Sequence, residues 1–337
     1  MVARFFACGV LILALPGLAG AQDLGTLNPK PLPPLANPND PNTPAKELFG
    51  RKADPAPLAS RSLGWYAAGC LSGASALPVN GKTWQVMRLS RNRNWGHPNL
   101  VAMLERLSEQ GKKVGWNGLL VGDMSQPRGG PMRTGHASHQ VGLDADIWLT
   151  QMPKRELTRK EREEMSAVMM VAADRKDIDP KVWTPQHLAI IKTAAEQPEV
   201  ERIFVNPAIK KALCRDAGDS RAWLHKVRPY WGHDYHFHVR IKCPPGQTEY
   251  CKPQDPVPAG DGCSEKDMAY WFTDAVLHPK PSLIPEKPKP PLKLAQLPAA
   301  CRAVLDAPAP SGKPSAVQPE DTSLEELEPA GELPGRE

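Results

Sequence analysis

Two stretches decide how this chain is read. The first is Gly135-His136-Ala137-Ser138-His139-Gln140-Val141-Gly142-Leu143-Asp144-Ala145-Asp146. The second, about ninety residues later, is Trp231-Gly232-His233-Asp234-Tyr235-His236-Phe237-His238-Val239-Arg240. Five of the nine histidines lie in these two stretches. Residues 235–242 alternate as a pleated strand does, with His236, His238 and Arg240 on one face and Phe237, Val239 and Ile241 on the other. The apolar face suits a core and the histidine face a cleft. In the first stretch Gly142 allows a turn that folds the chain back, so that His139 meets the strand beginning at Asp144. Asp144 and Asp146 share a face of that strand, and on geometry either could be a ligand. Ser138 lacks the Gly-x-Ser-x-Gly elbow of a nucleophile and reads as a hydrogen-bonding residue. Together the stretches supply the nitrogen and oxygen ligands of an open, catalytic zinc site.

Around them the pattern predicts an α+β domain with a small, mainly antiparallel sheet flanked by helices. Helices are expected over Pro98 to Gln110, stopped by Gly111, over Glu161 to Ala173, from Thr184-Pro185 to about Glu196, and after Asn206-Pro207. Strands are expected at Leu119 to Val121, Asp144 to Leu149, Val200 to Val205 and Tyr235 to Lys242. The 38 prolines of the 337 residues cluster outside this segment. Five regions follow: a leader (1–21), an extended Pro-rich arm (22–60), the catalytic domain (61–277), a Pro/Lys-rich segment tied back through Cys301 (278–305) and a disordered acidic tail (306–337).

The leader has one charge, Arg4, then an apolar run from Phe5 to Leu15 and a small-residue cleavage site, Leu18-Ala19-Gly20-Ala21. The run is too short to span a membrane, and no transmembrane span is expected elsewhere. Export leaves six cysteines, Cys70, Cys214, Cys243, Cys251, Cys263 and Cys301, which read as disulfides with the pairing open. The net charge of +5 is uneven, because the tail beyond Glu320 is acidic. A basic folded part suits an anionic polymer. Nucleic acid is excluded for an exported chain, which leaves cell-wall polymer.

The pattern Ser138-His139-Gln140-x-Gly142-Leu143-Asp144-x-Asp146 with His236-x-His238 resembles the lysostaphin, D-Ala-D-Ala peptidase and hedgehog group of zinc folds. It resembles the penicillin-insensitive murein endopeptidases more closely still. Gly69-Cys70, Trp84-Gln85-Val86-Met87, Gly96-His97-Pro98, Gly122-Asp123-Met124 and Arg202 to Lys210 carry that resemblance across residues of about 65 to 305, and the six cysteines are similar to that family's set.

The resemblance implies a hedgehog/D-Ala-D-Ala peptidase-like fold stapled by disulfides. It implies His139, Asp146 and His238 as zinc ligands, with water in the fourth position, and His233 and His236 as the catalytic pair. His136 and Asp174 match positions for a second metal. There the family reads D-x-x-H and this chain reads Asp174-Arg175-Lys176-Asp177, which puts that metal in question. The implied activity is a periplasmic zinc endopeptidase that cuts D-alanyl-meso-diaminopimelyl crosslinks of peptidoglycan without an acyl-enzyme, and hence without sensitivity to β-lactams. The competing readings are a D,D- or L,D-carboxypeptidase on stem peptides and a silent zinc-containing wall-binding module. Both a monomer and a homodimer are compatible with the sequence.

Overall fold

A computed structural model describes residues 24–279 and 289–311. The expected leader, part of the Pro/Lys-rich segment and the expected tail beyond residue 311 lie outside the described residues. In chain order the elements are α1 (Ala45–Phe49), β1 (Arg61–Trp65), β2 (Ala68–Ser72), β3 (Ser75–Ala76), β4 (Trp84–Val86), β5 (Trp95–Gly96), α2 (Pro98–Lys113), β6 (Leu119–Val121), β7 (Asp144–Trp148), α3 (Arg159–Glu164), α4 (Pro185–Ala195), β8 (Val200–Val205), α5 (Pro207–Asp216), β9 (Val227–Pro229), β10 (His236–Ile241), α6 (Glu265–Met268), α7 (Asp274–Leu277) and α8 (Ala300–Asp306). Among the described residues no helix is long and apolar enough to cross a membrane.

The main sheet has six strands in the order β4-β6-β7-β10-β8-β9. Its middle is antiparallel, while the outer pairs β4–β6 and β8–β9 are parallel. It is therefore a mixed sheet, antiparallel where the site lies. The register between β10 and β7 sets His238 opposite Asp146 and Arg240 opposite Asp144. Phe237 and Val239, opposite Ile147 and Ala145, turn the other way into a core shared with α2 and α4. One slip of a residue would exchange the two faces, so burial of Phe237 and Val239 is what aims the histidines at the cleft.

Local signals account for most of the elements. His97 caps α2 by accepting from the Asn99 N–H, with Pro98 at the first helical position. Gly111 does not stop this helix, which continues to Lys113. The stop is at Gly115, where φ is +80° and the N–H groups of Gly115 and Trp116 bond back to Lys112 and Gly111. Gly111 instead lets α4 approach, since a β-carbon there would sit 3.0 Å from Ile190.

The helix expected over Glu161 to Ala173 is also corrected. It ends at Glu164, and Met165 is already extended. The Arg88 guanidinium takes the Arg162 and Met165 carbonyls, and the Met170 N–H donates to Asp234. These bonds hold the chain off the helical path, and Ala167 and Met170 reach the core from irregular backbone.

The Pro-rich arm is not wholly extended. Its α1 turn buries Phe49 and Leu48 in a second core with Cys70, Cys301, Val304 and Leu305. The bonds Cys70–Cys301, Cys214–Cys263 and Cys243–Cys251 close loops of very different span. The first pins α8 beside β2, and Arg128 donates to the carbonyls of Val304, Leu305 and Ala307 at the end of that helix.

Candidate metal centre

The site forms around one carboxylate. Asp146, on β7, is buried, and its Oδ1 lies 3.3 Å from His238 Nδ1, 3.6 Å from His139 Nε2 and 3.6 Å from His236 Nε2. Its Oδ2 lies 3.4 Å from His136 Nδ1. The donor atoms of His136, His139 and Asp146 all fall within 4.8 Å of one another. His238 completes a fourth corner through its contact with the same carboxylate.

Second partners fix which ring nitrogens face inward. His139 Nδ1 lies 2.9 Å from the Met124 carbonyl, which can only accept, so the proton is on Nδ1 and the lone pair is on Nε2. His238 Nε2 donates to Asp144 Oδ1 at 3.0 Å, which leaves the Nδ1 lone pair toward Asp146. His136 Nε2 donates to Asp123 Oδ2 at 2.9 Å. The inward nitrogens of His139 and His238 are thus lone pairs, each backed by an acceptor, the pattern that orients metal ligands. His139 Nε2 and Asp146 Oδ1 are buried with no hydrogen-bond partner. Two such orphans facing each other cost free energy unless a cation sits between them. Ligands bonded at 2.0–2.1 Å around a tetrahedral ion stand about 3.3–3.4 Å apart, close to the spacings seen here. The residues therefore fit a metal ion.

Asp144 stands behind the cluster rather than in it, held by Arg240 and bonded to His238 and to the His139 backbone. It is fully buried, and Arg240 grips both its oxygens at 2.7 and 3.2 Å while it also accepts from the His139 N–H. Burial works to raise its pKa, but Arg240 and His238 outweigh this and hold it well below the usual carboxylate range. Arg240 occupies both oxygens of Asp144 and leaves Asp146 as the aspartate whose carboxylate faces the inward histidines; the strand alternation placed Arg240 on the right face without showing its target. Asp144→Asn is expected to weaken metal binding about 10- to 100-fold, the usual cost of losing a ligand's supporting partner. It should also destabilise the fold by about 3–5 kcal/mol, because Arg240 is left buried without its counter-ion. Chelator competition and urea unfolding read the two effects, and wild-type metal affinity in the variant would remove Asp144 from this role.

Burial foremost, then the neighbouring histidines, keeps His139 and His236 well below the usual imidazole pKa, so both are neutral and able to coordinate or accept a proton. Burial likewise lowers His233 to about 4. Burial opposes protonation of His136 too, yet Asp146 and Asp123 raise it overall. Asp146 is itself raised, chiefly by burial.

His233 sits at a turn over the cleft, its φ of +57° following a Gly232 at +64°. That turn is anchored by Asn206, the cap of α5, whose amide donates to the Gly232 carbonyl and to Asp234. His233 Nδ1 donates to the Trp231 carbonyl at 2.7 Å, which turns the Nε2 lone pair outward, and its ring lies 4.9 Å from that of His236. His139 also adopts a positive φ, +68°, a backbone strain held in place by its buried surroundings.

Asp174 is not brought to this cluster. It lies exposed on the turn bridged by Val171 and Ile178, accepting from the Lys176 N–H, and Asp177 beside it is paired with Arg215 and Lys211. Asp123 was the residue without an assigned role in the sequence. It backs His136 and is gripped by Arg91 and Arg93 at 3.0 and 2.8 Å. A Gly-Asp-Met after a short strand is the only local signal for it.

Two clefts meet at the cluster. A narrow one of about 40 Å³ runs past Arg88, Arg91, Trp148, Tyr235 and His236. A wider one of about 370 Å³ is bordered by Trp65, Ser138, Phe204, Tyr230, His233 and His238. Trp148 lines the narrow cleft, whereas Trp231 is exposed and packs edge-on to Trp271. His97 and His187 serve as helix caps.

Residues 62–306 match the family described as penicillin-insensitive murein endopeptidase. A curated protein of that name from Haemophilus influenzae is 46% identical over 73% of this chain and 82% of its own length. Namesakes from Klebsiella pneumoniae and Yersinia enterocolitica are each 46% identical over 73% of this chain and 86% of theirs. With most of its length matched in this way, and with a buried cluster of metal-ligand side chains at the centre of its sheet, the chain belongs to the penicillin-insensitive murein endopeptidase family of peptidases.

Proposed function

We propose that this peptidase hydrolyses the D-alanyl-meso-diaminopimelyl crosslinks of peptidoglycan in the periplasm, after loss of the 1–21 leader, with zinc as its metal and a hedgehog/D-Ala-D-Ala peptidase-like fold. The observation that carries the reading is the set of buried lone pairs converging on Asp146, each with an acceptor behind it. His139, Asp146 and His238 would hold the zinc. Neutral imidazoles and one carboxylate, with no thiolate, form the donor set of a hydrolytic zinc site. When bound, zinc polarises the scissile carbonyl and lowers the pKa of water to about 7.

The chain's own residues do the rest. Asp144 and the Met124 carbonyl keep His238 and His139 in the tautomers that face the cleft. His233, neutral and with Nε2 outward, can take a proton from the attacking water and return it to the leaving amine. His236, against Asp146 and His233, can donate a hydrogen bond to the developing oxyanion. The wider cleft beside His233 gives room for a peptide chain. A second metal on His136 lacks support from Asp174, which remains on its exposed turn.

The test is digestion of purified crosslinked muropeptides followed by mass analysis. Conversion of dimers to intact monomeric stems is expected. Loss of a terminal D-alanine alone would make the protein a carboxypeptidase, and binding to sacculi without hydrolysis would make it a wall-binding module.

A further inference from the structure

Beside the metal centre lies a third cavity, of about 570 Å³, whose charge is one-sided. Lys30, Arg51, Lys52, Arg91 and Arg133 line it, and no carboxylate is among the lining residues. Arg91 also lines the narrow cleft with Asp123, His136, Asp146 and His236, so the basic groove and the metal site share a wall. Glu47 answers Arg51 and Arg133 from the α1 side at 2.6 and 3.2 Å, and Asp123 answers Arg91. One carboxylate shared between two guanidinium groups leaves the groove net positive. Lys52 has no ion-pair partner within 4 Å among the described residues, and burial, then the nearby Arg128, depress its pKa despite Asp306. The rim comes from the arm (Lys30 to Ala53), the turn before β5 (Ser90 to Asn92) and the loop leading to the ligands (Gln126 to Arg133).

We propose that this groove binds the free carboxylates of one of the two peptide stems joined by the crosslink, and so positions the scissile amide over His139, Asp146 and His238. The proposal rests on the reading of the chain as a crosslink-cleaving endopeptidase. Each stem carries free carboxylates that a cluster of ammonium and guanidinium groups recognises. A groove that shares Arg91 with the cleft at the metal cluster spends its binding energy on orientation rather than on bond-making.

The test uses Lys52→Gln and Arg133→Gln in the full chain, neither residue touching the metal cluster. Two measurements are made: cleavage of crosslinked muropeptide dimers, and direct binding of a free tetrapeptide stem ending in meso-diaminopimelyl-D-alanine, each with the carboxylates free or amidated. The double variant should raise KM about tenfold with kcat nearly unchanged, each cation contributing up to about fivefold at low salt. The effect should shrink as salt is raised. Amidation of the stem should raise the wild-type KM similarly and abolish the difference between wild type and variant. A variant with wild-type KM, or one that loses the free and the amidated substrate equally, overturns the groove while leaving the endopeptidase intact. If wild type cleaves no dimer, the functional reading fails, and the binding measurement alone decides the groove. Weaker stem binding by the variant, lost on amidation, then supports it, and equal binding overturns it.

Discussion

His139→Ala is expected to lower crosslink hydrolysis by at least about a thousandfold, since a hydrolytic metal supplies several kcal/mol of transition-state stabilisation and each 1.36 kcal/mol is a factor of ten in rate. His139 is fully buried, and its Nε2 is one of two orphaned atoms that the metal would satisfy. The variant should bind less than stoichiometric zinc, and added zinc should not restore it. Chelated wild type should be equally inactive but should recover when zinc is returned. Folding is controlled separately. A metal that binds only the native state stabilises it by about 4 kcal/mol at a thousandfold excess over Kd, so wild-type melting should fall on chelation while that of the variant stays put. His139→Gly supplies a second variant, because the φ of +68° at this position suits glycine. Full activity of metal-free wild type would sink the metallopeptidase mechanism.

How much of this was legible before the fold is clear from particular residues. The 236–241 strand could be read because its period of two is unbroken, and its register against β7 then follows from burying Phe237 and Val239 together. Leu119–Val121, a short apolar run, and Val200–Val205 were both read as strands, and they are strands with those bounds. The β1–β2 hairpin did not stand out, because Arg61 to Ser72 is broken by glycines and packs on the arm and on residues 247–252, far away in sequence. Helix α3 was overextended because Met165 to Ala173 carries a helical apolar pattern, and only the distant Arg88 and Asp234 show why its backbone bonds go elsewhere. In the site, the candidate ligand types and their spacing were visible, whereas the side chains behind them were not. Asp144 is assigned by Arg240, Asp123 by Arg91 and Arg93, and the His233 turn by Asn206, pairings between segments that no local spacing encodes.

His233→Ala should separate proton transfer from metal binding. His233 stands outside the group of donors around Asp146, held by the Trp231 carbonyl and by the Asn206 anchor rather than by a carboxylate. Removing it leaves the tautomers of His139 and His238 untouched, so zinc content should stay at the wild-type level. The rate should fall about 10²- to 10⁴-fold, the usual contribution of a positioned general acid–base. Most of the loss should appear in kcat, because the proton moves only in the transition state. Asn206→Ala provides the graded case. It keeps the imidazole but removes two hydrogen bonds from the turn that holds it at a positive φ, so kcat should fall by less than in His233→Ala while KM changes little. The α5 cap is lost as well, at a cost of about 1 kcal/mol that unfolding would register independently. A His233→Ala enzyme that lost its zinc would make this residue a ligand. One that kept both zinc and full kcat would leave His236, 3.6 Å from Asp146 Oδ1, as the remaining imidazole able to shuttle the proton.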